Sequence, residues 1–74
     1  MEAANFAPER LLPLSEVMHR TSKSRSAIYA AMRAKPKPTF PLAIKDGISS
    51  RWLESEIDAY IRLRVAERDS KAAT

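Results

Sequence analysis

The chain has 74 residues, no cysteine, one histidine, and 13 basic against 9 acidic side chains. A chain of this length forms one domain, and without cysteine it has no disulfide framework, thiolate metal site or cysteine nucleophile. A single histidine is too few for a histidine metal cluster, and we expect no metal and no other cofactor. The longest apolar runs are a few residues, and the acidic start Met1-Glu2-Ala3 is unlike a secretory signal. The composition therefore favours a small cytoplasmic binding domain over an enzyme or a membrane protein.

The positive charge is concentrated in the middle of the chain. Residues 10–52 carry nine basic and two acidic side chains, a net charge of +7, whereas residues 1–9 carry −2 and residues 53–74 carry −1. This asymmetry indicates a polyanionic partner, with nucleic acid the first candidate and an anionic membrane surface the second.

A first short helix is predicted after Pro13. The proline favours extended backbone at Leu12 and leads the chain into the helix, and the hydroxyl of Ser15 is expected to cap the first turn. His19 is interpreted as a surface residue of this helix. Helical spacing predicts one buried side, made of Leu14, Val17 and Met18.

A second helix is predicted after the polar segment 21–24, with Ser24 as its N-cap. One face is polar and repeats every four residues, with Arg25, Tyr29 and Arg33. The helix is expected to stop at Lys35, because a residue before proline is pushed out of the helical region. Residues 35–41, with three of the five prolines, then form an extended linker. The apolar face of the helix is predicted to be Ala27, Ile28, Ala31 and Met32.

A β-hairpin is predicted next. Leu42 and Ile44 alternate with their neighbours as in a half-buried strand. Asp46-Gly47, which contains the only glycine, is expected to supply the positive φ angles of a tight turn, and residues 49–52 form the return strand.

A third helix is predicted from Leu53 to Arg68, with a surface pair between Asp58 and Arg62. Its acidic start is explained by the positive helix N-terminus rather than by a metal site or an acid–base pair. Its apolar face is predicted to be Ile57, Tyr60, Ile61 and Val65. The acidic residues at its start are Glu54, Glu56 and Asp58.

The order helix, turn, helix, hairpin, helix predicts a mainly α protein with a small β-hairpin, a winged helix-turn-helix. The DNA-binding domain is expected to span residues 10–68. Residues 1–9 are expected to form a flexible arm and residues 69–74 a flexible tail.

In such a fold the second helix enters the major groove with its N-terminal residues at the base edges. Arg25 can donate to both O6 and N7 of guanine, while Ser26 discriminates less between bases. Tyr29 and Arg33 are placed to meet phosphates, and the hairpin cations to contact the backbone or the minor groove. The candidate DNA-binding residues are Lys23, Ser24, Arg25, Ser26, Tyr29, Arg33, Lys45 and Arg51.

Several short motifs occur in one order along the chain: RLLPLSEV at residues 10–17, SRSAIY at 24–29, FP at 40–41, RW at 51–52 and ESEIDAYI at 54–61. Over residues 10–65 the chain resembles the AlpA family of phage and prophage regulators. The resemblance implies a MerR-type, excisionase-like winged helix. It also implies a DNA-binding protein that activates an integrase gene or directs excision of an integrated element, often by binding repeated sites and bending DNA. Double-stranded DNA, an integrase and further copies of the chain are the implied partners, and the nucleoid the implied location.

Three departures from the family pattern stand out. Ser22 occupies a turn position where the family usually has glycine, and Lys23 follows where it usually has an apolar residue. The linker 34–39 is longer than usual and lacks the customary glycine before Phe40-Pro41. These changes could loosen the turn, add a phosphate contact, or alter the placement of the wing.

Less specific interpretations apply to the same residues. The second helix's polar face could be an ordinary solvated surface, and Lys35, Lys37 and Lys45 could serve solubility alone. Trp52 and Tyr60 are expected in the core rather than as base-stacking platforms. The main alternative function is a protein-interaction module in which the third helix docks on an integrase or regulator. RNA binding is less favoured, because the chain lacks the paired aromatic residues of an RNA-recognition sheet.

Overall fold

Six short elements alternate along the chain in the computed structural model, which describes residues 9–73. The three helices and the hairpin follow the predicted order, and the winged helix-turn-helix is confirmed. The elements are β1 (Leu11–Pro13), α1 (Leu14–Thr21), α2 (Arg25–Met32), β2 (Ile44–Asp46), β3 (Ser49–Leu53) and α3 (Glu54–Ala73).

The hairpin belongs to a three-stranded antiparallel sheet with the order β1-β3-β2. The additional strand β1 was predicted only as an extended lead into α1. It pairs with β3 so that Leu12 lies opposite Trp52, and both side chains are fully buried. Pro13, which has no N–H to donate, is compatible with β1 because β1 is an edge strand.

The core collects one large apolar side chain from each of the three helices, from β1, from β3 and from the linker, while β2 contributes none. Because these five elements and the linker share one cluster, loss of one member loosens several of them together. Tyr60 and Ile61 of α3 pack against it as predicted, and Phe40 meets Tyr60 edge-on, with the ring centroids 4.8 Å apart. The buried residues are Leu12 in β1, Val17 in α1, Ile28 in α2, Phe40 in the linker, Trp52 in β3 and Ile57 in α3.

The caps of the first two helices differ from one another. α1 begins at Leu14 directly after β1, so Pro13 occupies the N-cap position and the prediction of Ser15 as the cap is wrong. Ser24 caps α2 as predicted, since its Oγ accepts a hydrogen bond from the Ala27 backbone N–H at 3.1 Å. Ala27 itself is exposed, so its assignment to the apolar face of α2 is also wrong.

α2 ends at Met32, before the predicted stop at Lys35. The linker then turns back onto the helix, because the Thr39 backbone N–H donates to the Ala31 carbonyl at 2.9 Å. The same carbonyl, one of the last in the helix, also accepts from the Ala34 backbone N–H at 3.3 Å.

The hairpin turn lies one residue later than predicted. Asp46 pairs with Ser49, so the two loop residues are Gly47 and Ile48, and only Gly47 has a positive φ, +67°. β2 begins at Ile44 rather than Leu42, and both side chains are largely exposed instead of half-buried.

α3 extends further than predicted, from Glu54 to Ala73, so residues 69–73 continue the helix. Val65 is 41% exposed and does not join the buried face. Residues 1–8, most of the predicted N-terminal arm, and Thr74 lie outside the described residues. Across residues 9–73, no helix combines the length and apolar character needed to cross a membrane.

Candidate nucleic-acid interface

The N-terminal half of α2 presents polar side chains to solvent. The capping bond of Ser24 fixes where the helix begins, and Arg25 and Ser26 follow at once, both exposed. The Arg25 guanidinium carbon lies 5.2 Å from the centroid of the Tyr29 ring, which is the geometry of a cation–π contact. Four of the predicted DNA-contacting residues, two expected at base edges and two at phosphates, line one open groove of about 380 Å³. They are Arg25, Ser26, Tyr29 and Arg33.

Tyr29 connects this surface to the core. Its ring is half-buried and meets the buried Trp52 edge-on, with the centroids 6.3 Å apart. The Trp52 indole Nε1–H donates to the Pro41 carbonyl at 3.1 Å, which fixes the indole in the core as predicted. The orientation of α2 is therefore set by aromatic packing beneath its polar face.

The hairpin extends the same surface. An adjoining groove of about 340 Å³ contains both Arg25 and Tyr29 from α2, together with Lys45 and Arg51 from the two strands. Lys45 Nζ lies 3.5 Å from Ser50 Oγ on the neighbouring strand. The structure thus brings the predicted wing residues and the predicted reading residues onto one continuous face.

Ile48 at the tip of the hairpin was not singled out from the sequence. Its side chain is 100% exposed, and it lines the same groove as Lys45 and Arg51. Its position directly after the only glycine, in a two-residue turn, is the signal that could have revealed it. An apolar side chain held among cations at a hairpin tip has the form of the wedges that proteins insert between base steps.

Two of the cations in the basic segment have structural partners. The Arg20 guanidinium lies 2.8 Å from Glu54, 3.2 Å from Glu16 and 3.5 Å from Asp58, joining α1 to α3. Arg10 also contacts Glu54, at 3.3 Å. Hydrogen bonds to Glu16 and Glu54 raise the pKa of Arg20 above its ordinary value.

These contacts revise two predictions for the acidic start of α3. Glu54 and Asp58 serve as partners of Arg20, so the helix dipole is not their only role. The predicted pair between Asp58 and Arg62 is absent from residues 9–73, because Asp58 turns to Arg20 instead.

The part of the chain that the structure describes contains no group of three acidic or histidine side chains able to hold a metal ion.

The start of α3 is capped by a residue that was assigned to the arm. Glu9 accepts hydrogen bonds from the Ser55 backbone N–H at 3.2 Å and from the Ser55 hydroxyl at 2.9 Å. A carboxylate at a helix N-terminus also meets the positive end of the helix dipole. Glu9 therefore belongs to the folded domain.

The remaining cations of segment 10–52 form no ion pair with any carboxylate in residues 9–73. Four of them lie on the surface shared by α2 and the hairpin. Lys23 does not: it is half-buried and lines a separate groove between the helix-turn-helix turn and α3, together with Arg64 and Arg68. The unpaired cations are Lys23, Arg25, Arg33, Lys35, Lys37, Lys45 and Arg51.

Comparison with known proteins gives two matches. The sequence model of the family described as prophage CP4-57 regulatory protein (AlpA) matches residues 10–65. The uncharacterized protein ORF88 of Enterobacteria phage P4 is 38% identical over 69 residues, which cover 92% of this chain and 75% of that protein. No solved structure matches the chain.

Proposed function

We propose that this chain, which belongs to the AlpA family of prophage regulatory proteins, binds double-stranded DNA at specific sequences. Through that binding it controls an integrase gene, excision of an integrated element, or both. The observation that carries the proposal is the shared surface of α2 and the hairpin. There Arg25, Arg33, Lys45 and Arg51 lie around Tyr29, and none of the four pairs with a carboxylate of the described residues 9–73. Unpaired cations on one face are the electrostatic footprint of a phosphate-binding surface.

In this proposal α2 lies in the major groove. Arg25, in the first turn, donates two parallel hydrogen bonds to O6 and N7 of a guanine, and Ser26 contacts the next base edge. The Arg25 guanidinium is already held against the Tyr29 ring before DNA binds. Because the arginine side chain has fewer conformations to lose, the entropy lost on binding is smaller. Tyr29 and Arg33 bind phosphates and fix the register.

The hairpin acts as the wing. Lys45 and Arg51 contact the backbone at its base, and Ile48 enters the minor groove at its tip and favours a bent duplex. Ser24 and the free backbone N–H groups at the start of α2 meet a phosphate, as helix N-termini do. Lys23, set toward α3, contributes a peripheral phosphate contact.

The test is a gel-shift titration against the promoter and attachment DNA of the element that encodes the protein, with random DNA of equal length as competitor. Specific binding predicts a clear preference for the cognate fragments at fixed salt. Equal affinity for cognate and random DNA would overturn the proposal. Cytoplasmic, nucleoid-associated localisation is part of the same proposal.

The proposal also includes two protein partners. One is an integrase, and the other is further copies of this chain bound to repeated DNA sites. The competing function is docking on an integrase without DNA reading. The exposed apolar groove beside α3, lined by Leu42, Ile44, Leu53 and Leu63, is the observation that favours it. If Arg25→Ala abolishes DNA binding but leaves regulation or excision intact, docking is the primary role.

A further inference from the structure

The second half of α3 makes little contact with the rest of the domain. Every residue from Arg62 to Ala72 is exposed. Within α3, Ala59, Leu63, Ala66 and Ser70 follow one another at intervals of four, three and four residues, which places them on one face of the helix. All four are exposed, and Leu63 is 57% accessible to solvent.

This face of α3 continues into an apolar groove. Ala59 and Leu63 form one wall of a groove of about 760 Å³, with Leu42, Ile44 and Leu53 among the other lining residues. None of its lining residues belongs to the two grooves of the proposed DNA surface. The seam, defined as Ala59, Leu63, Ala66 and Ser70, and this groove are therefore free when DNA is bound.

We propose that the seam and groove are the docking surface for a second copy of this chain, with the two α3 helices antiparallel. Each copy lays the second half of its α3 in the groove beside the first half of the other copy's α3. Leu63 then packs against the partner's Ala66, and Ala59 against the partner's Ser70. The contact uses the same patch twice, as a two-fold symmetric dimer requires. The small residues let the two helices approach closely, so that each Leu63 is covered by the small side chains of the facing helix.

The charges beside the seam match this arrangement. Among the described residues 9–73, Arg62 makes no ion pair, and Asp69 pairs with its neighbour Arg68 at 2.9 Å on the surface. In the antiparallel pair Arg62 flanks the seam opposite the partner's Asp69, and symmetry forms this ion pair twice. A parallel pair would instead set the two Glu56 side chains at the same level, which like charges disfavour.

The proposal deepens the self-association included in the proposed function, because it names the surface through which copies associate. A dimer would carry two α2 reading surfaces on one particle, and repeated DNA sites would be bound with higher effective concentration. Dimerisation needs no DNA, so it can be tested when the DNA site is unknown.

Sedimentation velocity of the full chain without DNA, over about 10 µM to 1 mM, measures the dimer directly. We expect a concentration-dependent dimer that Leu63→Glu weakens about tenfold or more. The matched control Val65→Glu places the same charge off the seam on the same helix and should leave the dimer unchanged. A chain that stays monomeric at 1 mM, or a dimer insensitive to Leu63→Glu, overturns the proposal. Circular dichroism of both variants checks that they remain folded.

Charge exchange and cross-linking test the arrangement. Arg62→Asp and Asp69→Arg should each weaken the dimer, and the double exchange should restore it. Since the chain has no cysteine, Ala59→Cys mixed with Ser70→Cys should give a disulfide-linked heterodimer on oxidation, while Ala59→Cys alone should not cross-link. Cross-linking of Ala59→Cys to itself contradicts the antiparallel pair. A Leu63→Glu variant that is monomeric yet still binds a single DNA site would show that dimerisation through α3 and DNA binding through α2 are separate properties.

Discussion

The Tyr29 ring meets the Trp52 indole edge-on, with the ring centroids 6.3 Å apart, and this contact joins the solvent face of α2 to the centre of the core. On its other side Tyr29 carries the Arg25 guanidinium, 5.2 Å from its centroid. One side chain thus serves both the packing of the helix and the placement of the arginine proposed to read bases.

Replacement of Tyr29 should separate these two roles. Tyr29→Phe keeps the ring and should leave the free energy of unfolding nearly unchanged, while weakening DNA binding through loss of the hydroxyl contact to phosphate. Tyr29→Ala removes the half-buried ring and should destabilise the domain by about 2 kcal/mol. Urea denaturation and DNA titration of both variants measure the two effects. Equal stability of Tyr29→Ala and the parent chain would refute the packing role.

Arg25 and Lys45 should behave differently toward DNA. Arg25→Ala should cost about 1–3 kcal/mol on the cognate site and relax the preference for one base pair, because a bidentate base contact is lost. Lys45→Ala should weaken binding to all sequences about equally and reduce the salt slope by about one. Lys37→Ala, in the linker away from the shared surface, is the control of equal charge. Uniform loss across all sequences for Arg25→Ala would exclude base reading by this side chain.

Arg20 should contribute to stability and not to DNA binding. Arg20→Gln leaves the carboxylates of Glu16, Glu54 and Asp58 close together, with the exposed Arg10 on Glu54 as the remaining cation. The midpoint of thermal unfolding should therefore fall, more strongly at low salt. The raised pKa keeps Arg20 charged far above neutral pH, so this contribution is constant through the physiological range. Arg68→Gln, which breaks a largely exposed pair, is the matched control and should have little effect. A loss of DNA affinity in a folded Arg20→Gln variant would contradict the assignment of Arg20 to stability alone.

Ser22 is held in a left-handed conformation, with φ +57°, where it ends α1 and donates its backbone N–H to the Met18 carbonyl at 2.8 Å. A Cβ is strained in this region, so Ser22→Gly should stabilise the domain by about 1 kcal/mol. The same type of change in a helix interior, Ala30→Gly, should destabilise it by about 1 kcal/mol. Urea denaturation compares the two, and a destabilising Ser22→Gly would show that the serine makes an interaction outweighing the strain.

Ile48 should affect DNA shape without affecting the fold. Because its side chain is fully exposed, Ile48→Ser should leave the unfolding midpoint unchanged. The same variant should reduce both affinity and the bend angle, measured by energy transfer between the ends of a labelled duplex. Val65→Ser, another exposed apolar position, should leave the bend unchanged. An unaltered bend in Ile48→Ser excludes the wedge.

Local patterns predicted most of the fold, and the exceptions have physical causes. The helices and the buried Ile28, Trp52 and Ile57 follow from apolar spacing and caps such as Ser24. β1 was missed because three residues ending in proline carry no strand pattern, and its pairing partner is about forty residues away. Leu42 and Ile44 alternate like a buried strand but lie on the open groove, because no layer of the described fold covers that side.

The sequence predicted which residues belong to the candidate site better than it predicted where they lie. The four α2 residues share a groove because helical periodicity alone brings them together. The sequence could not place Lys23 beside α3, nor assign Arg20 to three carboxylates, two of which are more than thirty residues away along the chain. Both placements depend on how α1, α2 and α3 pack, which local spacing does not encode.

Nuclear magnetic resonance can show whether α2 and the hairpin form the DNA-binding surface. Backbone amide shifts of the labelled chain would be followed during titration with a cognate duplex. We expect the largest changes at Arg25, Ser26, Tyr29 and Ile48, with the second half of α3 little changed. Changes concentrated in α3 and the Leu42–Leu63 groove, with α2 unaffected, would contradict it.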